Sequence, residues 1–320
     1  MDASAPDPRA RRRLPRLSIV TPSFNQAEFL ELTLRSILDQ DYPNLELIVM
    51  DGGSTDGSAE ILRAYGDRLS HWVSEPDGGQ TDAINRGFAR SSGDVLTWIN
   101  SDDLLLPGSL EFVGRAFAED PELHWLTGAL RRIDAGGKTL DVRTAFDQPS
   151  HLAERGIFTN GARYRFNVPQ PSSFFSRELW NAAGPLDRSV QYTMDRMLWL
   201  TAFARGFEPR FVERELAAFR LHEGSKTVSQ KSAFTADRAR VHWRLARRPG
   251  FRLLPNLQLA REYAVDLRLQ RCDALLEAGS PARAAGALGA AMALSPGLIR
   301  RRLYSLREIA SAFFSPRRRS

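Results

Sequence analysis

Residues 45–57 read LELIVMDGGSTDG, an apolar run that ends in an aspartate, two glycines, a Ser-Thr pair and a second aspartate. An apolar stretch this short and this continuous suits a strand buried on both faces, as in a parallel sheet covered by helices. The same design recurs on either side. Residues 17–21 (LSIVT), His71–Ser74 and residues 95–99 (VLTWI) read as further strands. Between them, residues 28–38 place Phe29, Leu30, Leu34, Ile37 and Leu38 on one helical side, and Pro43 with Asn44 stops that helix. Asp56 suits an N-cap for a helix through Tyr65, and residues 81–89 form a third helix. Strand and helix in alternation predict a parallel, doubly covered α/β sheet.

In such sheets ligands bind beyond the carboxyl ends of the strands. The chain places Thr21-Pro22-Ser23-Phe24-Asn25 after the first strand and Asp51 with its glycines after the second. Glu75-Pro76-Asp77-Gly78-Gly79-Gln80 follows the third, and Asn100-Ser101-Asp102-Asp103 the fourth. Carboxylates and amides therefore collect on one rim. Asp102 and Asp103 repel each other if left alone, a divalent cation relieves that repulsion, and hard oxygen ligands select Mg²⁺ or Mn²⁺. Two carboxylates leave an octahedral shell incomplete, so water or phosphate oxygens must fill it. The same pair can also be a plain acidic turn before the helix that follows Pro107. Neither a GxGxxG dinucleotide fingerprint nor a GxxxxGK[ST] phosphate loop is present.

Taken together, IVTPSFN, VMDGGSTDGS, TDAINRGFARSSGD and WINSDD resemble the catalytic core of inverting family 2 glycosyltransferases. The likeness runs on more loosely through QPSSFFSRELW, GPLDRSVQYTMD and FRLHEGSKT, to about residue 227. It implies a GT-A-type mixed, mostly parallel α/β sheet with helices on both faces, a nucleotide-sugar donor, a glycan or lipid-linked acceptor, and Mg²⁺ or Mn²⁺. It further implies that Thr21, Asn25 and Asp51 hold base and ribose, and that Asp82, Asn85 and Arg86 lie near the donor phosphates or sugar. Asp103 would be the direct metal ligand, Asp102 a ribose or sugar contact, and His222 the ligand that completes the metal site. Asp195 matches the general base. Asn100 stands where an Asp is common, and Met194 and Met197 stand where acids are common, so charge is missing around both sites. Gln170 and Trp180 fit either an acceptor cleft or packing, while Trp98, Trp199 and Phe203 read as core.

The chain has 320 residues, 42% hydrophobic and 26% charged, which suits a globular fold with a sizeable core. Its single cysteine, Cys272, excludes a disulfide framework and a Cys-based zinc site. The net charge of +6 is unevenly placed. Residues 231–320 hold 18 basic against 6 acidic residues, whereas 17–230 hold 21 against 30. The expected organisation is a flexible basic head (1–16), a catalytic domain (17–230) and a basic, all-helical C-terminal extension (231–320). Within the catalytic domain, 17–115 would bind nucleotide and 116–230 the acceptor. Residues 130–133 and 138–142 read as a hairpin, 160–173 as a loop, 194–205 as a helix and 216–221 as a strand. A helical hairpin turns at Gly279-Ser280-Pro281, similar to one tetratricopeptide-like unit. Residues 298–314 can form a basic amphipathic helix, and 298–319 suit contact with an anionic membrane surface. No segment reads as transmembrane, which predicts a cytoplasmic protein held peripherally on the inner face of the plasma membrane, with no nucleic-acid partner. The expected activity is metal-dependent inverting sugar transfer in cell-surface polysaccharide or glycolipid synthesis. A catalytically weak nucleotide-sugar-binding or interaction protein on the same fold is the alternative, and a nucleotidyltransferase lacks its Gly- and Arg-containing loop here.

Overall fold

The computed structural model describes residues 14–144, 157–158, 163–164, 168–248 and 253–294. The chain separates into two compact units, the first made of Met1–Ile157 and Arg163–Val228 and the second of Phe158–Ala162 and Ser229–Ser320.

The first unit opens with β1 (Leu17–Ser23), α1 (Ala27–Leu38), β2 (Leu45–Asp51), α2 (Ser58–Tyr65) and β3 (His71–Ser74). It continues through α3 (Gln80–Arg90), β4 (Val95–Trp98), β5 (Leu104–Leu105) and α4 (Ser109–Glu119). A hairpin follows, β6 (Trp125–Asp134) and β7 (Thr139–Arg143). The dipeptide strands Ile157–Phe158 (β8) and Arg163–Tyr164 (β9) lie outside the main sheet. Then come β10 (Ser173–Ser176), α5 (Arg177–Ala183), α6 (Met194–Ala204) and β11 (Arg210–Leu221). A single turn of helix, Lys226–Ser229 (α7), leads into the second unit.

The main sheet runs β3-β2-β1-β4-β10-β6-β11-β5, with β7 paired to β6. The first four strands are parallel, β1 lying between β2 and β4. β10 then enters antiparallel to both β4 and β6. Strand order thus reverses at β1 and β4, and the crevice between their carboxyl ends is where an open α/β sheet binds its ligand.

Side-chain alternation explains the two covered faces. Leu17, Ile19, Leu47, Val49 and Val95 point to one core, shared with Leu30, Leu34 and Ile37 of α1, Leu62 of α2, and Leu110 and Val113 of α4. On the opposite face Trp98 packs edge-on to Phe88 of α3 and Phe175, and stacks 6.0 Å from Trp199 of α6. Trp180 stacks on Phe175, and Gln170 donates to the Trp98 carbonyl at 2.6 Å. Gly87 lets α3 lie directly on β1, since a Cβ there would come 2.5 Å from Val20 Cγ1. The buried Glu46 ties three strand approaches together by accepting from Ser18 Oγ, Ser92 N and Ser92 Oγ.

Two sequence expectations needed enlarging. Residues 160–173 are not wholly loop: β9 and a 3-10 turn at Gln170–Ser172 fall within them, and β10 follows at once. The strand expected at 216–221 begins at Arg210: its first half is polar and only partly buried, and it pairs with β6 through register shifts between Phe211 and Ala217, so it carries no strand periodicity to read.

The second unit holds, among the described residues, the helices α8 (Lys231–Leu245), α9 (Leu253–Glu277) and α10 (Pro281–Leu294). α9 packs against both its neighbours. Val265 and Leu269 meet Ala291, and Cys272 meets Ala284. The turn between α9 and α10 has Gly279 at φ 68°, as its sequence predicts. Head residues 1–13 and the amphipathic segment 298–319 lie outside the described residues. No described helix is long and apolar enough to cross a membrane.

Candidate active site

The loops after β1 and β2 are knitted together by the residues that make the motif recognisable. Asn25, at φ 51°, donates its N–H to Ser54 Oγ at 2.7 Å, and its Oδ1 accepts from Thr55 N at 3.0 Å. Asp56 accepts from Ala27 N (2.8 Å) with one oxygen and from Ser58 N (3.1 Å) and Ser58 Oγ (2.7 Å) with the other. It therefore caps α1 and α2 at once, although Gly57 holds the N-cap position of α2. Burial pushes the Asp56 carboxyl upward, but these bonds outweigh it and hold it below the ordinary carboxylate range.

Asp51 is buried and spans the ends of β2 and β3. It accepts from Ser54 N (2.9 Å), from Ser54 Oγ and from Ser74 Oγ (2.6 Å). Thr21 and Ser23, also buried, have hydroxyls with no protein partner at the same strand end. Beside them Phe24 is 61% exposed, and its ring borders Gly52 together with Asp77. Sequence reasoning missed Phe24, whose only signal was a large aromatic at the tip of a strand-end loop.

α3 faces the other way. Asn85 makes a reciprocal pair with the Leu186 backbone at 2.9 Å each way, and Thr81 Oγ1 donates to the Val190 carbonyl at 3.0 Å. Asp82 pairs with Arg188 at 2.6 Å, and Arg86 pairs with Glu75. The contacts of Thr81, Asp82 and Asn85 stitch the segment before α6 onto the donor half, while Arg86 ties α3 to the loop after β3. Asp195 sits in the first turn of α6, half-buried, with Oδ1 accepting from Arg196 N at 2.7 Å. Met194 and Met197 are buried in the packing of α6, so the charge missing at those positions is missing from a core face.

After β4 the two neighbouring aspartates diverge. Asp103 is 0% exposed; Oδ1 accepts from Arg220 N at 3.1 Å and Oδ2 from Asn100 Nδ2 at 3.0 Å. Asp102 instead meets His222, Oδ2 to Nε2 at 3.0 Å, in a setting that leaves both side chains partly accessible. Of the pair, Asp103, the expected metal ligand, is turned to the interior, and Asp102, the expected ribose or sugar contact, lies beside His222. Burial, then the charge of Asp102, pushes the Asp103 carboxyl well above its ordinary range, against the opposing bonds from Arg220 and Asn100.

Arg220, unremarked in the sequence, is the centre of this corner. It is 2% exposed, donates to the carbonyls of Asp102 (3.0 Å) and Ala135 (2.8 Å), and lies 4.9 Å over the Phe29 ring. Replacing it with methionine takes the donor from two carbonyls and removes a buried cation beside two acids. Arg220→Met should cost about 3–5 kcal/mol of stability, the range for breaking a buried charged network, read as a fall in the urea midpoint.

The crevice has one more cation. Lys226 Nζ donates to Gln80 Oε1 at 2.9 Å and stands 5.8 Å from the Tyr192 ring centre. Loss of hydration lowers its pKa, while the charges of Asp102 and Asp77 pull it back up. Tyr192 is three residues before Asp195, so this contact brings the approach to Asp195 toward the Asp102 corner.

The donor set suits a divalent ion that brings most of its own ligands. Asp102 Oδ2 and His222 Nε2 offer one hard oxygen and one imidazole nitrogen within 3.0 Å of each other. Among the described residues no group of three or more His, Cys, Asp or Glu side chains forms a fuller cage. Mg²⁺ and Mn²⁺ fit such a half-built site, because they accept one or two protein ligands and take the rest from substrate phosphates and water.

The Glycosyl transferase family 2 model matches residues 18–176. An uncharacterized glycosyltransferase of Rickettsia typhi is 35% identical over 229 residues, covering 67% of this chain and 66% of that protein. The putative teichuronic acid biosynthesis glycosyltransferase TuaG of Bacillus subtilis is 35% identical over 100 residues, 30% of this chain and 40% of TuaG. The match thus spans just under two thirds of the rickettsial protein and two fifths of TuaG. Among solved structures, the mannosyltransferase PcManGT of Pyrobaculum calidifontis, in complex with GDP-Man and Mn²⁺, superposes with a TM-score of 0.56 at 21% identity. That superposition covers 97% of this chain and 88% of PcManGT, and it carries the GT-A fold. With its motifs, its mixed sheet and these relatives in agreement, the chain belongs to glycosyl transferase family 2.

Proposed function

We propose that the protein moves a sugar from a nucleotide-sugar donor to an acceptor hydroxyl with inversion, in the assembly of a cell-surface polysaccharide or glycolipid. The observation that carries this reading is the Asp102–His222 pair at 3.0 Å, set at the strand-order reversal where a donor diphosphate would lie. TuaG supports the polymer setting, and the GDP-Man and Mn²⁺ of PcManGT support a nucleotide sugar with a divalent ion.

The residues divide the work as follows. Phe24 offers its ring face to the base, with Asp51 and the Thr21 hydroxyl behind it at the strand ends. Asn25 shapes that pocket by holding the two loops together. Asp82 and Asn85 build the cleft wall through Arg188 and Leu186 and bring the acceptor side against the donor side, while Arg86 holds the loop after β3 through Glu75. Asp102 and His222 hold Mg²⁺ or Mn²⁺, and Asp103 braces Asp102 from behind. A bound divalent ion supplies Lewis-acid neutralisation of the charge that grows on the departing diphosphate. Asp195 takes the proton from the acceptor hydroxyl as that oxygen attacks C1 from the face opposite the leaving group. No covalent sugar–enzyme intermediate is needed. Residues 116–230 form the acceptor half in this scheme, and 298–319 hold the enzyme at an anionic membrane surface on the cytoplasmic side.

The test is a donor panel. UDP-, GDP-, dTDP- and CMP-sugars are presented with Mn²⁺, and released nucleotide is measured. One donor class should be consumed, slowly by water alone and faster with acceptor. Tight binding with no consumption of any donor, under every acceptor tried, would sink the transfer reading and favour a sugar-nucleotide-binding protein.

A further inference from the structure

Lys226 has no place in the scheme above, yet it is the best-positioned cation in the crevice. A tight turn delivers it. Ser225 donates to the His222 carbonyl twice, from its N–H at 3.0 Å and its Oγ at 2.7 Å. Gly224 closes that turn, where a Cβ would stand 3.3 Å from the His222 ring. The ammonium is then held by a chain of side-chain amides. Lys226 Nζ donates to Gln80 Oε1 (2.9 Å), Gln80 Nε2 to Asn100 Oδ1 (2.7 Å), and Asn100 Nδ2 to Asp103 Oδ2 (3.0 Å). Asn100 can pass this chain on because it is an amide: its oxygen accepts while its nitrogen donates, which a carboxylate could not do.

The charge balance gives the arrangement its meaning. A donor diphosphate is anionic, and its negative charge increases as the glycosidic bond breaks. The crevice already holds Asp77 and Asp102, which repel it. Asn100 keeps that repulsion smaller than an aspartate would, and in the same step it orients a lysine. Lys226 has three N–H donors, of which Gln80 takes one. The other two suit phosphate oxygens, with which an ammonium forms strong, charge-assisted hydrogen bonds.

We infer that Lys226 is a resident phosphate-binding residue, which grips the donor diphosphate beside the Asp102–His222 corner and gives the protein affinity for nucleoside diphosphates that does not depend on a metal ion. The inference rests on the proposed sugar-transfer site and adds a specific group to it.

The experiment is calorimetric titration of the full chain with UDP, GDP and the matching nucleosides, once in EDTA and once in Mn²⁺. Wild type, Lys226→Met and Lys226→Arg are compared. Wild type should bind one diphosphate in EDTA, more weakly than in Mn²⁺. Lys226→Met should lose about 10-fold or more of that affinity in EDTA, in line with one charge-assisted hydrogen bond. Lys226→Arg should recover most of it. Binding of the nucleoside, which carries no phosphate, should be the same in all three proteins. Equal diphosphate binding by wild type and Lys226→Met in EDTA overturns the inference while leaving the transfer reading standing. A parallel loss of nucleoside binding in Lys226→Met also overturns it, by showing that the lysine shapes the pocket rather than holding phosphate. If wild type binds no diphosphate in either medium, the site reading fails and this inference fails with it.

Discussion

Asp102→Ala should lower sugar transfer in saturating donor and Mn²⁺ by about 10³-fold, with the fold intact. A divalent ion contributes several kcal/mol by neutralising a departing diphosphate, and each 1.4 kcal/mol is a factor of ten in rate. Asp102 supplies the one carboxylate oxygen that meets His222 in the crevice, so its loss leaves a single imidazole to hold the ion. The measurement is a Mn²⁺ titration of donor consumption, in which the variant should show a lower plateau and a far higher midpoint.

The neighbouring substitution sharpens the test. Asp103→Asn should keep its metal titration, because Asp103 points inward to Arg220 and Asn100. Its signature should be in stability. The folded state holds the Asp103 proton to higher pH than the unfolded chain does, since burial and Asp102 raise its pKa. A raised carboxyl pKa makes the folded state the better proton binder, so stability declines as pH rises from the ordinary carboxylate value toward the raised one. That decline should flatten in Asp103→Asn, read as melting temperature against pH. If Asp103→Asn abolished the response to Mn²⁺ and Asp102→Ala did not, the two aspartates would have to exchange roles.

Why the sequence could not order this pair is a matter of long-range geometry. β1, β2 and β4 were legible because each is buried on both faces, which writes a continuous apolar run, whereas β3 is a half-buried edge strand legible by its place in the strand-helix alternation. Asp51, Asn25 and the Asp102–Asp103 pair were legible as a group because strand ends deliver their residues to one rim. Which aspartate turns inward depends on Arg220, which arrives on β11 from 117 positions away and looks in sequence like any other strand arginine. β10 stayed hidden for a related reason. Its four residues (SFFS) carry too little periodicity to separate a strand from a loop, and only pairing with both β4 and β6 fixes them. Asn85 and Asp82 were read toward the donor on likeness, whereas their partners, Leu186 and Arg188, belong to the approach to Asp195. Phe24 and Lys226 had no pattern to announce them.

Those stitches give the Asp195 prediction its force. Asp195→Asn should cut transfer by about 10²–10⁴-fold, the usual contribution of a general base, while nucleotide and Mn²⁺ binding stay unchanged. The amide is nearly isosteric, and its oxygen can still accept from Arg196 N, so the first turn of α6 should hold its shape. The segment before it is pinned to α3 by Thr81, Asp82 and Asn85, which leaves little freedom for a neighbouring group to swing in as a substitute. The buried Met194 and Met197 cannot act as bases, being thioethers on a core face. The loss should therefore fall on kcat with the donor KM preserved, because a base acts only as the acceptor oxygen attacks. Should Asp195→Asn turn over at the wild-type rate, the proton must leave through another group, and the inverting scheme built on α6 would have to be abandoned. Should the loss appear instead as weaker donor binding, Asp195 would be a wall of the donor pocket, and the acceptor would have to approach from elsewhere on the rim.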